Sequence, residues 1–521
     1  MRRLGIAVIA TVIASVLGLA AQPAGAAAHG CPTDLAGWRT LLGAEWLDCH
    51  QLSDLTTTNN PYTDPGSLTG MGFPPPGSGT LDSHYTNATT PPVSGLQLDG
   101  YWPDGCNAFQ VEPALVAKNG APFIRGCAPP AGAGGTCAAK CHHDAQFVIR
   151  IPDAWNGRLL TAGTPGIRDA FSSDFILSDA ALERHWAYVS QDKGNMAANF
   201  YRDGPDETAC ATAWCPAAAI AEWNSRMRQA TRSAKALLNS IAGGYGLKKV
   251  TRSYAAGVSN GGYQVRRALE TDTRKDNLYD GGIDWEGTLF SQKSNLFDYL
   301  PTSLVYGPDA IAGVQPAIDA MAAVGFNPKS RPLWAYHYNI YWGLAQKVYR
   351  LELDPEYTNY TCSGAGGPCV SPAAEVVPPT DPDASYQVNS RALALSRIQS
   401  VANTGNIQHP LITLHGDQDA LLPISTDSDL YFRMVTAAGH ANQFRYYTVR
   451  GGNHVDPQFD DHYGIDDYGN SLLRPILPCV WAALDAEVLW VEHGTAPPAS
   501  HTIARPSPDT ASDLANSCNL S

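Results

Sequence analysis

Residues 249–270 read KVTRSYAAGVSNGGYQVRRALE, and the fold is decided where a β-rich run meets GVSNG at 257–261 and then a helical pattern. This order predicts a strand, a tight turn with Ser259 at its apex, and a helix. Glycines flank the serine of such a turn because its backbone is strained and a Cβ on either side would crowd it. Because G-x-S-x-G also arises by chance in a chain with 48 glycines, the flanking strand and helix give the match its weight.

A serine at this kind of turn predicts a nucleophile, which needs a base to remove its proton and an anion to orient that base. The three groups are expected in the chain order serine, acid, histidine. The β-run 411–414 continues into HGDQDALLP at 415–423, which places an acid at a strand end. We favour Asp419 because its spacing to Pro423 fits the form G-x-x-D-x-x-V-P, whereas the alternative, Asp417, fits a turn-shaping role.

The base is predicted at His454, because the last β-run ends in the glycine loop RGGNH at 450–454. An unperturbed histidine, with a pKa of about 6.5, exchanges protons around neutrality. The competing histidines are His415, His440 and His462, and a lone histidine elsewhere is more often structural or solvated.

Two backbone N–H groups are expected to face the negative charge that develops beside the serine. Asn260, at the N-terminus of the predicted helix, supplies the first. The second should come from the loop after an early strand, where residues 160–166 read LTAGTPG. Pro165 has no N–H, so Gly163 and Thr164 are the candidates, although these glycines also fit a simple turn.

The N-terminus predicts a secretory signal peptide over residues 1–28, with two arginines, an apolar run and small residues suited to cleavage. A membrane anchor is the alternative, and the shortness of the run argues against it. The formal charge of −14 and the lack of a basic patch exclude nucleic acid as an expected partner. We expect an exported protein with no membrane partner, and the sequence leaves its oligomeric state open.

Twelve cysteines fit an oxidising compartment, in which close pairs form local disulfides. The expected pairs are Cys31–Cys49, Cys210–Cys215, Cys362–Cys369 and Cys479–Cys518, with Cys106, Cys127, Cys137 and Cys141 pairing among themselves. Zinc binding by Cys137, Cys141 and the adjacent histidines is the alternative for that last group. We expect no metal and no cofactor.

From residue 146 onwards, strand-like and helical patterns alternate, which predicts an α/β class with a mostly parallel sheet flanked by helices. The strand-like runs are 147–151, 158–162, 186–191, 278–283, 410–414 and 444–449, and the main helical pattern is 216–243. The expected segments are a Cys/Pro/Gly-rich N-terminal segment at 29–145, a catalytic core at 146–283 and 407–494, a lid insertion at 284–406 and a tail at 495–521. The N-terminal segment is expected to pack on the core, or else to be a small binding module.

The lid carries an aromatic cluster that favours a substrate with apolar or ring surfaces. The candidate substrate-binding residues are Trp285, Glu286, Trp334, Tyr338 and Trp342. The alternative is that the aromatic residues build the core of the lid. Glu286 beside Trp285 is also a weak indication of a site for a peptide amine.

The core resembles the tannase and feruloyl-esterase group of α/β-hydrolases, and it is also similar to 3-hydroxybutyrate-oligomer hydrolases. The stretches similar to the first group are 151–160, with IP and WNGRLL, 190–194 (SQDKG) and 278–283 (LYDGGI). Those similar to the second are 258–261 (VSNG) and 270–273 (ETDT). The resemblance covers about 146–290 and 408–485, and it implies an α/β-hydrolase fold with a large lid and esterase activity.

Two departures from the tannase pattern bear on the substrate. That group typically has cysteines before the serine and after the histidine, where this chain has Val258 and Val455. Its lid commonly carries a calcium loop, for which no convincing counterpart is present. Asp272, Asp276 and Asp280 fit a cation site less well than a solvated acidic loop.

The sequence therefore predicts a secreted serine esterase acting on a small-molecule or oligomeric ester, with phenolic-acid esters and hydroxyalkanoate oligomers as the candidates. A secreted peptidase of the same fold is the first alternative. The second is a non-catalytic binding protein on a hydrolase scaffold, because a fold does not establish an activity.

Overall fold

The computed structural model describes residues 30–63, 90–103, 145–166, 169–194, 218–354, 357, 385–454, 456, 473–504 and 517–521. The predicted signal peptide lies outside these residues, as do His462 and all the expected cysteine pairs other than Cys31–Cys49 and Cys479–Cys518. Those two disulfides are present, so both pairings are confirmed.

Ten strands form one sheet in the order β1-β2-β3-β5-β4-β6-β7-β8-β9-β10. The strands are β1 Trp46–Leu52, β2 Gly95–Tyr101, β3 Gln146–Pro152, β4 Arg158–Gly163, β5 Ala187–Gln191, β6 Arg252–Val258, β7 Gly281–Trp285, β8 Leu411–Gly416, β9 Phe444–Val449 and β10 His501–Ile503. The pairings β1–β2, β2–β3 and β3–β5 are antiparallel. The remaining pairings, β5–β4, β4–β6, β6–β7, β7–β8, β8–β9 and β9–β10, are parallel. This mostly parallel sheet has the strand order of an α/β-hydrolase fold, which confirms the predicted class.

Helices cover both faces of the sheet and fill the insertion between β7 and β8. They are α1 Ala36–Leu42, α2 Asp179–Glu183, α3 Ala218–Ile241, α4 Asn260–Thr271, α5 Leu300–Ile311, α6 Gln315–Ala323, α7 Arg331–His337, α8 Gly343–Leu353, α9 Ala392–Val401, α10 Ser428–Ala437 and α11 Leu477–His493. The predicted helix 216–243 therefore corresponds to α3.

The period of two along the strands sends alternate side chains to opposite faces, each of which is buried. In β4, Leu160 packs in a cluster with Leu484 of α11, whereas its neighbour Leu159 packs with Leu237 of α3. Both leucines of β4 are fully buried. This two-sided burial is why the central strands read as continuous apolar runs.

The N-terminal strands β1 and β2 extend the same sheet rather than forming a separate one. Strand β2 pairs with both β1 and β3 over seven residues each. Trp102, just after β2, is buried against Phe147 of β3, with ring centroids 4.3 Å apart.

The lid, the segment between β7 and β8, contributes most residues of one hydrophobic cluster, which also includes residues of α3 and α4. Trp334, Trp342 and Phe326 are buried in it, and Phe326 packs edge-on against both tryptophans. Across the described part of the chain, every helix is too short or too polar to cross a bilayer.

Candidate active site

Ser259 lies between β6 and α4 in a backbone conformation that few residues other than glycine adopt. Its φ is 59° and its ψ is −122°. The turn is held because the Ser259 N–H donates to the Trp285 carbonyl at 2.9 Å and the Ser259 carbonyl accepts from the Tyr263 N–H at 3.0 Å. A strained serine at a strand-to-helix turn is the geometry that the G-x-S-x-G pattern predicts.

Three glycines allow the turn to lie against the neighbouring loop. A Cβ on Gly261 would lie 2.2 Å from the carbonyl oxygen of Gly163, and a Cβ on Gly257 would lie 2.4 Å from the carbonyl oxygen of Gly261. Real Cβ atoms essentially never approach so closely, so each position requires glycine. The ends of β4 and β6 and the start of α4 therefore meet at one point.

The serine, histidine and aspartate that the sequence places far apart are adjacent in the structure. The Ser259 Oγ lies 3.0 Å from Nε2 of His454, and Nδ1 of His454 lies 2.8 Å from Oδ2 of Asp419. His454 is 3% exposed and Asp419 is 2% exposed, so their contact is shielded from bulk water, whereas the contact with Ser259 is partly buried. The serine has a base within reach, and that base has an oriented anion.

Asp417 and Asp419 have different surroundings, which separates the two candidates for the acid. Oδ1 of Asp419 accepts the N–H groups of Leu421 and Leu422, at 2.7 and 2.8 Å, which leaves Oδ2 aimed at His454. Asp417 instead accepts the N–H of Gly451 at 2.7 Å. Asp417 therefore braces the loop that carries the histidine.

Two further titratable residues that the sequence analysis did not place here surround the pair. Glu286 lies 3.3 Å from Nδ1 of His454 through its Oε2, and Nε2 of His415 lies 3.1 Å from Oδ2 of Asp419. Both Glu286 and His415 are fully buried. The sequence predicts His415 only as a competing base and Glu286 only as a substrate-binding residue.

The charges of these four groups shift their pKa values in opposite directions. Burial opposes the Asp419 charge, but His454 and His415 together hold the pKa of Asp419 below its usual range. Burial alone would lower the pKa of His454, yet the charge and hydrogen bond of Asp419, with Glu286, raise it well above 6.5. The aspartate is therefore ionised at neutral pH, and the imidazolium form of His454 is stabilised.

Burial also acts on the pKa values of the outer two groups, Glu286 and His415. Burial, followed by the charge of Asp419, raises the pKa of Glu286 to about 8. For His415, burial lowers the pKa, but the hydrogen bond to Asp419 and the neighbouring carboxylates outweigh burial and raise it to about 9. At neutral pH the Glu286 carboxyl therefore keeps its proton while Asp419 does not.

The two candidate oxyanion donors lie at the same junction. Asn260 is the first residue of α4, so its backbone N–H has no partner within the helix. The Asn260 side chain is engaged elsewhere: Oδ1 accepts from the Thr288 and Tyr349 hydroxyls, and Nδ2 donates to the Gly166 carbonyl at 3.3 Å. This fixes the residue while its main-chain N–H remains at the helix N-terminus.

Thr164 is held beside the strand-to-helix turn at Ser259, here called the elbow. Its hydroxyl donates to the Gln191 carbonyl, and its own carbonyl accepts from Nε2 of Gln264 at 3.0 Å. A Cβ on Gly261 would lie 3.1 Å from the Thr164 nitrogen, so that N–H lies beside the elbow. Gly163 contributes the close approach described above.

Most of the predicted substrate-binding aromatic residues are buried in packed clusters. Trp285 is 2% exposed within the sheet, and Trp334 and Trp342 are fully buried in the lid. The indole N–H groups of the lid tryptophans donate to Ser330 Oγ at 3.0 Å and to the Ala420 carbonyl at 2.8 Å. Tyr338 is half-buried. These contacts favour the alternative in which the aromatic residues build the lid core.

A neutral histidine of the lid lies in this cluster. His337, at the end of α7, is fully buried and stacks on Trp342 with ring centroids 6.2 Å apart. Its two ring nitrogens have no hydrogen-bond partner among the described residues. Burial lowers its pKa to about 3, so this imidazole is uncharged at neutral pH.

Two clusters have donor atoms of the type that binds metals. One oxygen or nitrogen each from Glu286, His415 and Asp419 lies within 4.8 Å of the others. Both ring nitrogens of His415 are already hydrogen bonded, to Ser428 Oγ at 2.7 Å and to the Leu422 carbonyl at 3.0 Å, so neither is available as a ligand. Hydrogen bonding explains this cluster better than metal binding does.

The acidic loop after α4 is also held by protein contacts. Asp272 accepts the N–H groups of Leu278 and Tyr279, and His409 lies 2.9 Å from it. Asp276 pairs with Arg228 at 2.9 Å. Asp280 accepts the Ser253 N–H at 2.8 Å. The three carboxylates are therefore held by protein groups, and Arg228 also lies 3.9 Å from Asp272.

Comparison with known proteins gives matches only to solved structures: no protein-family model and no curated protein matches the chain. Feruloyl esterase B from Aspergillus oryzae is similar, with 13% identity, a TM-score of 0.47, and coverage of 87% of this chain and 88% of that one. Tannin acyl hydrolase from Aspergillus niger has 14% identity, a TM-score of 0.43, and coverage of 86% and 83%.

The esterase LipA from Xanthomonas oryzae is also similar. It shows 13% identity and a TM-score of 0.40, with 84% of this chain and 96% of that one covered. These three structures are therefore similar to this chain at low sequence identity.

Proposed function

We propose that this protein is an exported serine hydrolase that cleaves carboxylic esters through an acyl-enzyme. The observation that carries the proposal is the hydrogen-bonded chain from Ser259 through His454 to Asp419 at a strained strand-to-helix turn. Nucleophile, base and orienting acid are each within reach of the next, as acyl transfer requires.

The reaction follows from this geometry. Nε2 of His454 takes the proton of Ser259 as its Oγ attacks the ester carbonyl, and Asp419 stabilises the imidazolium that forms. The N–H groups of Asn260 and Thr164 hold the developing oxyanion. His454 then gives its proton to the leaving alcohol, and a water molecule, activated in the same way, releases the acid. These residues perform every proton transfer themselves.

Esters are favoured over peptides because of where Glu286 lies. The peptidase alternative depends on a carboxylate that can receive a substrate amine, but Glu286 is fully buried and accepts the Gly416 N–H at 2.7 Å. Its other oxygen faces His454. The amine site that the sequence suggested therefore lacks its main residue, and the resemblance in the core makes phenolic-acid esters and hydroxyalkanoate oligomers the candidate substrates.

The test is covalent labelling of the purified protein with a fluorophosphonate probe, with mass spectrometry of the labelled peptide. We expect label on Ser259, and we expect Ser259→Ala and His454→Ala to abolish it. His440→Ala is the matched control, because His440 is hydrogen bonded to Asn406 at 2.7 Å and lies outside the triad contacts. A folded wild-type protein that stays unlabelled would support the binding-protein alternative instead.

Substrate class is then decided by rates. Purified enzyme is offered methyl esters of phenolic acids and soluble 3-hydroxybutyrate oligomers at equal ester concentration. We expect the wild-type enzyme to hydrolyse one of the two classes with the higher kcat/KM, which identifies the substrate class. Ser259→Ala should hydrolyse neither. Release of amines from peptides at a comparable rate would contradict the ester assignment.

A further inference from the structure

Two carboxylates from neighbouring strands face the same nitrogen of His454. Asp419 follows β8 and lies 2.8 Å from Nδ1 through Oδ2. Glu286 follows β7 directly, and its Oε2 lies 3.3 Å from that same Nδ1. A triad needs one acid to orient its histidine, so the second carboxylate calls for an explanation.

The backbone aims Glu286 at the histidine. Its φ is 51°, a left-handed conformation that is uncommon for residues other than glycine. Its N–H donates to the Leu414 carbonyl at 2.9 Å, and Oε1 accepts the Gly416 N–H at 2.7 Å. Both anchors belong to β8, so the carboxyl group is fixed to the strand that also carries Asp419.

The oxygen that faces His454 is otherwise unsatisfied. Glu286 is fully buried, and its Oε2 has no hydrogen-bond partner among the residues that the structure describes. A buried carboxyl oxygen without a partner is costly, and such sites are often functional. The titratable groups that face this carboxyl are His454, Asp419 and His415. The imidazole of His454 is the group within reach of Oε2.

We propose that Glu286 is a second positioning acid of the triad, which helps to orient His454 beside Asp419 and takes over that role when Asp419 is removed. The inference rests on the proposed hydrolase function. Glu286 acts through His454, so it is a positioning residue rather than one that touches the substrate.

The two acids differ in protonation state near neutrality: Asp419 is ionised and Glu286 is protonated. Two carboxylates at one site do not both ionise easily, and their titrations are coupled. Burial and the charge of Asp419 raise the pKa of Glu286 to about 8, so near neutrality a single negative charge faces His454. Replacing Asp419 with asparagine removes one of the causes of that shift. Glu286 then ionises at lower pH and supplies the missing charge.

The experiment compares Asp419→Asn, Glu286→Gln and the double variant by kcat/KM on an ester that the wild-type enzyme hydrolyses. Without a second acid, neutralising the triad aspartate costs about 10⁴-fold. We expect Asp419→Asn to lose only about 10²-fold, Glu286→Gln to lose less than about 10-fold, and the double variant to lose about 10⁴-fold. Equal losses in Asp419→Asn and the double variant would overturn the proposal.

A pH profile separates positioning from a merely structural role. In Asp419→Asn, the remaining activity should rise with pH as Glu286 ionises, and this rise should be absent from the double variant, which keeps only the rise due to deprotonation of His454. Glu286→Asp, whose side chain is one methylene shorter, should behave like Glu286→Gln. If the double variant does not fold, the profile of Asp419→Asn decides: a profile without this rise would overturn the proposal.

Strand β7, which Glu286 follows, provides a matched control near its other end. Glu487 is also buried, accepts a backbone N–H of β7 (Gly282, 3.1 Å) through Oε1, has an unpartnered Oε2, and has a pKa raised by burial to about 8. Glu487→Gln should leave both the activity and the pH profile unchanged.

Failure of wild-type labelling at Ser259 would count against the hydrolase function itself. A labelled enzyme in which Asp419→Asn and the double variant lose equal activity would count against the role of Glu286 alone.

Discussion

Asp417 and Asp419 lie two residues apart on one loop and have separate contacts. Asp417 accepts the Gly451 N–H at 2.7 Å, and its own carbonyl accepts from the Asn327 side chain at 2.7 Å. Its carboxylate therefore links the acid loop to the histidine loop. Asp419, in contrast, contacts the imidazole of His454.

We expect Asp417→Ala to lower the free energy of unfolding by about 1–2 kcal/mol, because a hydrogen bond to a charged acceptor is lost. Activity should fall by less than about 10-fold, since His454 keeps its acid. Urea unfolding and kcat/KM measure the two effects. Asp419→Ala is the comparison, and an equal loss of activity in the two variants would show that the acid has been assigned to the wrong aspartate.

The protonation of His454 sets the acid side of the pH profile. Asp419 and Glu286 outweigh burial and raise the pKa of His454 well above 6.5. Because the imidazole is a base only when neutral, activity falls as pH drops through that pKa. We expect the acid limb of kcat/KM to have its midpoint above about 6.5. A wild-type midpoint below that value would contradict the charge arrangement.

The contact between β4 and the start of α4 depends on glycine. Gly261→Ala places a Cβ 2.2 Å from the Gly163 carbonyl oxygen, which is backbone and has little room to move. We expect a loss of stability of about 1–3 kcal/mol or more, and a loss of most activity, because the elbow separates from the Thr164 loop. Gly243→Ala is the control, since a Cβ there meets nothing within 4 Å. Thermal unfolding and labelling of Ser259 test both, and an active, equally stable Gly261→Ala would contradict the close approach.

The strands of the core could be predicted because their side chains are buried on both faces. The runs at 158–162 and 444–449 match β4 and β9 to within one residue. The run at 278–283 was displaced, since β7 spans Gly281–Trp285. Leu278 and Tyr279 are as apolar as strand residues, but their N–H groups donate to the Asp272 carboxylate. That side-chain contact forms a turn that an apolar pattern does not reveal.

The residues of the site could be predicted where a sequence motif identifies them. Ser259, Asp419 and His454 each follow a strand in a loop of recognisable spacing, and their side chains meet in the structure. The contact of Glu286 depends on which strands are neighbours, because its loop and that of Asp419 meet only through the pairing of β7 with β8. The strands β1 and β2 were not predicted because turn-rich sequence surrounds them, although each is seven residues long.

At the scale of the whole molecule, the lid is attached to the loop that carries the nucleophile and to the loop that carries the acid. Tyr349 of α8 donates to Asn260 beside the nucleophile, and Trp342 donates to the Ala420 carbonyl beside the acid. Asn327 donates to the Asp417 carbonyl at 2.7 Å. Packing of the lid core and alignment of the triad are therefore coupled, which gives the buried aromatic residues a role in the site without contact to substrate.

The C-terminus is fastened to the same core by a disulfide. Cys479, near the start of α11, is bonded to Cys518 across 39 residues, and Leu520 is buried in the cluster that contains α11. Closing a loop of this length restricts the unfolded chain by about 4 kcal/mol, and the 18-residue loop of Cys31–Cys49 by about 3 kcal/mol.

Replacing both cysteines of a pair with serine avoids a free thiol. We expect the Cys479→Ser/Cys518→Ser variant to lose about 4 kcal/mol of unfolding free energy, slightly more than Cys31→Ser/Cys49→Ser, with the loop-entropy model setting the order. Both variants should keep their activity at low temperature, because neither disulfide contacts the triad. Urea unfolding with and without reductant measures the losses. Reductant should remove from each variant only the stability that its remaining disulfides supply. Variants as stable as the wild type without reductant would refute the assignment.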